Sequence, residues 1–378
     1  MKAIAVSSNA PHPEDAVVDV AAQLQSRGAN FSAEDCASLV FTSPHHAEDP
    51  EALSAALGDV FNDSPYIGWI GASAFHDAEL SEGKPGLSVL HVSGVSAYAR
   101  TVPQSGLGAY VAARLTADAP MGRSRFLSLS SEETDAFGML LTLDEQPAPL
   151  AGAMGCRSPS GFSTSLGAEV KDEPFATLLT LDDCQMLLGV AQGTRQIGPP
   201  REVTKVDGQL VFELDGRPAL EMLLRDLPPA LRNNLPQLAG SLFAGLSSLD
   251  GSTFLTRNVM GLDPSTGAIS VSADPAANSE LVFALRDGNT ARKELDLTLE
   301  SMWDAMGPKS PIAVVGFTCL GRDEGMMGKP AYDISRIAEM FPDTPVVGAS
   351  VNGEICTFGT NSNVFTYATV IAALLPED

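Results

Sequence analysis

The chain has 378 residues, of which 44% are hydrophobic and 19% are charged, a composition typical of a globular protein with a large core. This length exceeds that of one ordinary core, so it predicts two domains, or one domain built from two similar halves. With 47 acidic against 23 basic residues the net charge is −24, which repels phosphate backbones and anionic membranes and excludes nucleic acid and membrane surfaces as expected partners.

The first residues and the cysteines also indicate which class of protein this is. MKAIAVSSNAPHPED has one lysine and a short apolar run before proline and acids, which differs from a signal peptide. No apolar run reaches the roughly 20 residues that span a bilayer. The five cysteines are scattered without C-x-x-C spacing, so we expect neither a disulfide framework nor a metal site. These features favour a cytoplasmic protein.

Strands and helices alternate in the first quarter of the chain. The strand KAIAVSSN precedes a helix that begins at Pro13 and ends at Gly28. A buried strand over residues 37–43 follows, and then a second helix with Asp49 as its N-cap before Pro50. The segment PYIGWIGASAF returns as a strand. This alternation predicts α/β units with parallel strand pairing.

The middle of the chain is predicted to be mainly β. A glycine- and serine-rich stretch precedes a strand at 175–181. Asp207 and Gly208 lie between valine-rich arms and predict a hairpin that leads into a helix. The segment DPSTG, residues 263–267, is typical of a turn between two further strands.

The end of the chain repeats the order of its beginning. The segment FTS (41–43) leads through a helix to PYIG (65–68). The segment FTC (317–319) leads through a helix to PVVG (345–348). We therefore predict a mixed α/β (α+β) fold with two related halves, strand-helix-strand units and a mainly β middle section. The alternative is coincidence, because strand-helix-strand units look alike in any α/β protein.

Motifs for catalysis are weak. GASVNG and GWIGASAF differ from G-x-S-x-G, and the usual nucleotide-binding glycine patterns are absent. Arg322 follows Cys319 closely enough to lower the pKa of its thiol, but a catalytic cysteine needs a histidine base, and the five histidines all lie in the first quarter. A buried structural Cys319 is therefore favoured. His45 and His46, at a strand-to-helix turn, are expected to be solvated.

Small and polar residues collect at the predicted carboxyl ends of the strands, where α/β sheets bind ligands. Gly348 and Gly353 let the backbone approach a small molecule, while Asn352 and Glu354 offer hydrogen bonds or an ammonium partner. Arg322 suits a carboxylate. The candidate ligand-binding residues are Thr318, Cys319, Arg322, Gly348, Ser350, Asn352, Gly353 and Glu354. Together they suit a zwitterion such as an amino acid; alternatively, the glycines serve turns and Glu354 faces solvent.

Several segments follow an order and spacing that resemble the FIST family over nearly the whole chain. In the C-terminal half these are FLTRNVMGLDPSTGAISVSADPAANSELVFALRDG, GFTCLGR and PVVGASVNGEI. In the N-terminal half they are SLVFTSP, PYIGWIGAS, PLAGAMGCRSP and VTKVDGQLVFELDGRPALEMLL. The resemblance implies a FIST N-type domain over residues 1–204 and a FIST C-type domain over residues 205–378.

The same resemblance implies a cytoplasmic sensory module, not an enzyme, that binds a small polar ligand such as an amino acid. Because the chain has no kinase, cyclase or F-box segment, we expect a separate signalling protein, or a homodimer, to transmit the signal. Some family members resemble haem-based nitric-oxide sensors, so haem held by a histidine is a lesser alternative to a protein without cofactor. The third possible function is that of an enzyme acting on a small metabolite.

The N-terminal half departs from the family pattern. The family commonly has a Thr-x-Gly-Glu-Ile-like ending after the first returning strand, whereas this chain has GASAFHDAELSEG. The C-terminal half is therefore the expected ligand site.

Overall fold

The computed structural model describes residues 1–31, 35–46, 50–61, 64–103, 106–116, 124–130, 149–158, 161–166, 175–238, 240–247, 254–276, 279–358 and 361–377. They form two compact units, one from Met1–Ala191 with Leu295–Asp378 and one from Gln192–Glu294. With about 27% helix and 46% strand, the predicted mixed α/β fold is confirmed. No helix in these described ranges is long and apolar enough to cross a membrane.

Strands and short helices alternate along the chain. Before residue 192 the elements are β1 Lys2–Ser8, α1 Pro13–Ser26, β2 Cys36–Thr42, α2 Pro50–Phe61, β3 Tyr66–Ile70, β4 Ser73–His76, β5 Glu79–Leu80, β6 Leu87–Ser93, β7 Ala97–Pro103, α3 Leu107–Thr116, β8 Arg125–Ser130, β9 Leu150–Met154, β10 Cys156–Ser158, β11 Gly161–Leu166, β12 Phe175–Leu181 and β13 Cys184–Ala191. The next are β14 Thr194–Gln196, β15 Arg201–Asp207, β16 Leu210–Leu214, β17 Arg217–Pro218, α4 Ala219–Asp226, α5 Pro229–Arg232, β18 Leu242–Ser247, β19 Phe254–Asp263, β20 Ala268–Val271 and β21 Glu280–Arg286. The last are α6 Gly288–Met306, β22 Ala313–Cys319, α7 Glu324–Met327, α8 Tyr332–Met340, β23 Val346–Val351, β24 Gly353–Phe358, β25 Asn361–Phe365 and β26 Thr369–Pro376.

The first unit contains three sheets with the same strand order. The orders are β1-β6-β2-β3, β7-β12-β8-β9 and β13-β26-β22-β23. In each sheet the last two strands are parallel and the others antiparallel. The first copy of this arrangement spans residues 2–93, the second 97–181, and the third 184–191 with 295–376. Two of the copies contain the predicted strand-helix-strand units, and the sheet topology adds a third.

A Pro-x-x-Gly sequence marks the same point in each copy. It occurs at Pro65–Gly68, Pro149–Gly152 and Pro345–Gly348. In every case the proline carbonyl accepts a 2.9 Å hydrogen bond from the parallel neighbour, where the donors are the backbone N–H groups of Ser38, Phe126 and Val314. These matching bonds set the residues of the three copies in register with one another.

Each copy also adds a strand to the sheet of another copy. The first copy's β4 pairs with β23 of the third, the second copy's β11 pairs with β3 of the first, and the third copy's β24 pairs with β9 of the second. Each added strand belongs to a hairpin, formed by β4 with β5, β10 with β11, and β24 with β25. The pairings therefore run in a closed cycle through the three copies.

Each sheet of the first unit buries one face under helices. Val20 of α1 and Leu57 of α2 pack near Val40 in the first copy. The helix α3 covers the second sheet, and α6 and α8 cover the third. Apolar residues three or four apart along these helices give each one a single buried face.

The second unit has its own core beneath a β-sheet. Val203 and Phe283 pack with Leu223 of α4 in that core. The hairpin predicted at Asp207 and Gly208 joins β15 to β16, and the predicted helix is α4. The predicted DPSTG turn lies between β19 and β20. The expected N-cap Asp49 lies outside the described residues.

Gly348 occupies a point of β23 where no side chain fits. A Cβ atom there would overlap the carbonyl oxygen of Gly316 and the ring of Phe75. We expect Gly348→Ala to lower the free energy of unfolding by about 1–3 kcal/mol, the usual cost of overpacking. Denaturant unfolding measures this loss. Gly261→Ala is the control, because its Cβ would lie 3.8 Å from Ser270 Cβ; an equal loss in both variants would contradict the prediction.

Candidate functional site

A cavity of about 250 Å³ opens at the C-terminal ends of β22 and β23. The two strands are parallel, so their ends meet at one edge of the sheet. Thr318 and Cys319 end β22, and Ser350 lies near the end of β23. The full lining is Ala72, Ser73, Leu80, Glu82, Thr318, Cys319, Leu320, Arg322, Asp323, Glu324, Pro330, Ala331, Tyr332, Asp333, Ile334 and Ser350.

Arg322 and Asp333 form a buried ion pair in the cavity wall. The Arg322 side chain is 0% exposed and that of Asp333 is 4% exposed. Arg322 Nε donates to Asp333 Oδ2 at 2.5 Å, and Nη2 donates to Oδ1 at 3.0 Å. Thr369 Oγ1 donates to the same Oδ2 at 2.8 Å, and Arg322 Nη1 donates to the carbonyl oxygen of Tyr367 at 3.3 Å. This network ties the first turn of α8 to the end of β22.

Glu354 is fully buried on β24 and is not among the residues that line the cavity. Its Oε2 accepts a 3.2 Å hydrogen bond from the N–H of Ala368, and its Oε1 has no hydrogen-bond partner among the described residues. Burial raises the pKa of Glu354 well above its usual range, and the thiol of Cys319 contacts the carboxyl group. Burial, together with that neighbouring group, also raises the pKa of Cys319. In both side chains burial therefore favours the neutral form.

The predicted ligand-binding residues fall into two groups. Four of them share the cavity wall: Thr318, Cys319, Arg322 and Ser350. The other four lie off the wall. Gly348 is within the sheet, Asn352 is half-buried between β23 and β24, and Gly353 and Glu354 begin the strand that pairs with β9.

Other wall residues were not among the predicted site residues. Ser73 donates a 2.8 Å hydrogen bond to Ser350 Oγ, and Glu82 follows β5; both come from the first copy. The strand exchange that brings them here has no local sequence signal. Asp323 could have been found, since it caps α7 by accepting a 2.9 Å bond from Met326 N, the usual role of Asp before a helix.

The cavity offers groups for both signs of charge. Glu82, Asp323 and Glu324 are exposed carboxylates along its wall. The first turn of α8 also forms part of the wall, and a helix N-terminus attracts anions through its backbone N–H groups and dipole. Tyr332 also lines the cavity, and Lys329 Nζ lies 5.2 Å above its ring. The arrangement can hold an ammonium and a carboxylate on one small molecule.

The first copy provides an internal comparison for this site. Ser43 N–H donates to Gly86 O at 2.8 Å as Cys319 N–H donates to Ala368 O at 2.9 Å, so Ser43 and Cys319 are equivalent. The same register makes His46 of the first copy equivalent to Arg322 of the third copy. It likewise makes Ala74 of the first copy equivalent to Glu354 of the third. The buried ion pair and the buried carboxyl group are thus absent from the equivalent described positions of the first copy.

The expectation that His45 and His46 are both solvated is wrong for His46. His45 is exposed, but His46 is fully buried. Its Nδ1 lies 2.9 Å from Thr42 Oγ1 and its Nε2 lies 2.9 Å from the carbonyl oxygen of Ala10. Burial lowers the pKa of His46, so the ring is held neutral as a structural link.

The described histidines do not fit an axial haem ligand. His12 and His45 are exposed, and both ring nitrogens of His46 have partners. His91 is buried, with the Phe31 ring packed edge-on against it, and lines none of the described cavities. His76 lies on a cavity wall, but its nitrogens face Ser7 and Asp77.

The same described part of the chain contains no group of three or more His, Cys, Asp or Glu side chains that could hold a metal ion. Cys36, Cys184, Cys319 and Cys356 are buried there and form no disulfide bond with one another. The side chain of Cys156 lies outside the described residues.

The fold and site define a mixed α/β protein with a ligand-sized cavity at its strand ends. The chain belongs to the FIST family: the FIST N domain matches residues 37–217 and the FIST C domain matches residues 219–357. FIST domains are sensory domains. The predicted division into domains of residues 1–204 and 205–378 stays a prediction.

Similar proteins include uncharacterized proteins of mycobacteria. Mb0898c of Mycobacterium bovis is 35% identical and MT0656 of Mycobacterium tuberculosis is 33% identical, each over 172 residues. The aligned part is 44% of this chain and 44% and 45% of those proteins, so the chain matches less than half of their length. A chorismatase crystal structure aligns over 99% of this chain and 98% of its own, at 9% identity and a TM-score of 0.32, too weak to carry an inference.

Proposed function

We propose that the protein is a cytoplasmic sensory module that binds a small amino acid in the cavity at the ends of β22 and β23 and signals to a separate protein. The observation that supports this most directly is the cavity itself. Its volume of about 250 Å³ suits a metabolite, and its wall combines carboxylates with a helix N-terminus.

The two charged ends of an amino acid would meet different parts of the wall. The ammonium group pairs with Glu82 or Glu324, because both are carboxylates on the cavity wall. The carboxylate is placed at the first turn of α8, beside Tyr332. The hydroxyl groups of Ser73 and Ser350 supply hydrogen bonds to the ligand backbone or side chain.

Arg322 holds the site in place in this proposal. Its guanidinium makes two hydrogen bonds to Asp333, so it fixes the start of α8 at the end of β22. The strand ends from Gly348 to Glu354 set the position of Ser350. Thr318 and Cys319 form the floor of the cavity with Ser350.

Transmission would use the contact between the first and third copies. Ser73 belongs to the first copy and Ser350 to the third, and both line the cavity. A ligand that bonds to both hydroxyl groups favours the paired form of β4 and β23 and thereby changes the surface presented to a signalling partner or a second copy of the chain.

A thermal-shift panel of amino acids tests the proposal. We expect one or a few of them to raise the melting temperature by several degrees, since a ligand at 100 times its Kd adds about 2.7 kcal/mol of stability. Glu82→Gln and Glu324→Gln should together remove most of this shift. The control is Glu300→Gln, an exposed carboxylate on α6. A shift that survives the double variant, or an absence of any shift, would sink the assignment of this cavity.

The same preparation separates the alternatives. A Soret absorption band in the purified protein would favour the haem-based sensor, contrary to the surroundings of the described histidines. Turnover of the bound amino acid, with products detected by mass spectrometry, would favour an enzyme acting at this cavity. A melting shift without either signal favours the sensory module.

A further inference from the structure

We propose that Ser7, His76 and Asp77 form a second site, which hydrolyses small carboxylic esters by acyl transfer. The three residues belong to the first copy, and none of them lines the cavity at β22 and β23. Ser7 is the nucleophile, His76 the general base and Asp77 the carboxylate that orients the imidazole.

The three side chains stand in the order that this chemistry needs. Ser7 Oγ lies 3.3 Å from His76 Nδ1, and Asp77 Oδ2 lies 3.5 Å from His76 Nε2. With the Nε2 proton directed at Asp77, Nδ1 is left as the acceptor for the Ser7 proton. Distances between nucleophile and base are often this loose without substrate.

Substrate can reach the serine. A cavity of about 270 Å³ has both Ser7 and His76 in its wall. Asn9 and Lys84 line the same cavity, and both can donate hydrogen bonds to the oxyanion that forms during acyl transfer. Asp77 lines a neighbouring cavity of about 430 Å³, which His76 also borders. The imidazole therefore lies between two openings.

The third copy indicates that the fold does not require a serine and a histidine here. Ser7 pairs with Ser88 as Val190 pairs with Val370, and the register places Val190 at the position of Ser7. By the same register Cys356 stands at the position of His76. The third copy thus builds the same strands with a valine and a cysteine, so the polar pair of the first copy needs another explanation.

Asp77 is fixed in the tight turn between β4 and β5, directly after the histidine. Its φ of 51° is left-handed, a conformation that Asp adopts in such hairpin turns. Two bonds with Val346 fix it: Asp77 N–H donates to Val346 O at 2.7 Å, and Val346 N–H donates to Asp77 Oδ1 at 3.3 Å. These bonds leave Oδ2 on the side of His76.

The reaction balances with water as the only co-reactant. Ser7 Oγ attacks the ester carbonyl carbon, and its proton passes to His76 Nδ1. The tetrahedral intermediate collapses, the ester C–O bond breaks, and the leaving alcohol takes the proton from His76. Water then attacks the acyl-serine and gives a proton to His76 Nδ1. The bond between Ser7 Oγ and the acyl carbon breaks, Oγ takes that proton back from His76, and the carboxylic acid leaves.

Two measurements on the full chain test this site. A fluorophosphonate probe followed by peptide mapping should place the adduct on Ser7. Hydrolysis of p-nitrophenyl acetate should be lost in Ser7→Ala and fall about 100-fold or more in His76→Gln. Asp77→Asn, which keeps the side-chain shape and tolerates the left-handed backbone, should lower the rate less than His76→Gln. Ser26→Ala, on the exposed end of α1, is the matched control and should retain the wild-type rate.

An adduct on another residue, or no adduct at all, overturns the proposal. Equal hydrolysis by wild type and Ser7→Ala also overturns it. If Ser7→Ala does not fold, as judged by circular dichroism, Ser7→Val takes its place, because the third copy carries valine at this position. The adduct measurement uses the unaltered protein and decides the matter in either case.

Discussion

Replacing Asp333 with alanine is expected to lower the free energy of unfolding by about 3–5 kcal/mol. In this variant the guanidinium of Arg322 loses both of its hydrogen bonds to Asp333. Because the Arg322 side chain has no exposed surface, its charge is then buried without a carboxylate partner. The hydroxyl group of Thr369 loses its acceptor as well. Denaturant unfolding followed by circular dichroism measures the loss.

Two comparisons make this expectation specific. Glu339→Ala removes an ion pair with Arg336 whose side chains are 29% and 55% exposed, and should cost about 1 kcal/mol or less. The double variant Arg322→Met with Asp333→Leu should be less destabilised than Asp333→Ala, because it leaves no unpaired charge in the wall. A loss in Asp333→Ala as small as that in Glu339→Ala would show that the pair is solvated.

Glu354→Gln is expected to stabilise the protein, and more so as the pH rises. Burial raises the pKa of Glu354 in the folded state, so the folded chain keeps a proton that the unfolded chain releases above about pH 4.5. The contribution of Glu354 to the free energy of unfolding is therefore fully present below about pH 4.5. It is lost at about 1.4 kcal/mol per pH unit as the pH rises towards the pKa of Glu354 in the folded state. Glutamine keeps the shape and removes this loss. Melting temperatures of both proteins from pH 5 to pH 8 give the slopes.

The buried histidines give the opposite dependence and serve as a reference on the acid side. Burial lowers the pKa of His46 and of His91, so both contribute stability that is present above about pH 6.5 and is lost as the pH falls below it. Glu354→Gln should leave this loss of stability at low pH unchanged. Replacing the exposed Glu300 with glutamine should change neither the loss at low pH nor the loss at high pH. Parallel curves for wild type and Glu354→Gln would mean that the carboxyl group is ionised in the fold.

The parts of the fold that local sequence determines were predictable. Apolar spacing and the proline and glycine positions gave the strand-helix-strand units around residues 41–68 and 317–348, as well as the hairpin at Gly208. The second copy is not evident from the sequence, because its Pro-x-x-Gly sequence, Pro149–Gly152, follows residues that carry no clear helical pattern and precedes a glycine- and serine-rich stretch. Strand exchange between copies depends on pairing of distant edges, which local propensity does not encode.

The candidate site shows the same division. Thr318, Cys319 and Ser350 were predicted because polar residues at the ends of parallel strands meet at one edge. The sequence does not predict the partner of Arg322. It shows the positive charge, but it does not show that the guanidinium group is directed at Asp333. The sequence predicts Glu354 as a ligand contact because a carboxylate at a strand end can pair with an ammonium group, or else as a solvated side chain. Its burial follows instead from the pairing of β24 with β9.

The closed cycle of strand exchange has a consequence for how the chain is made. Ser73 and Ser350, which face each other across β4 and β23, are 277 residues apart, so the first hairpin leaves the ribosome long before its partner strand exists. Folding of the first unit therefore cannot finish during synthesis of the first copy and must wait until β23 and β24 have emerged. Until then the edges of β9 and β4 remain unpaired, and the nascent chain has to be kept from pairing with its neighbours.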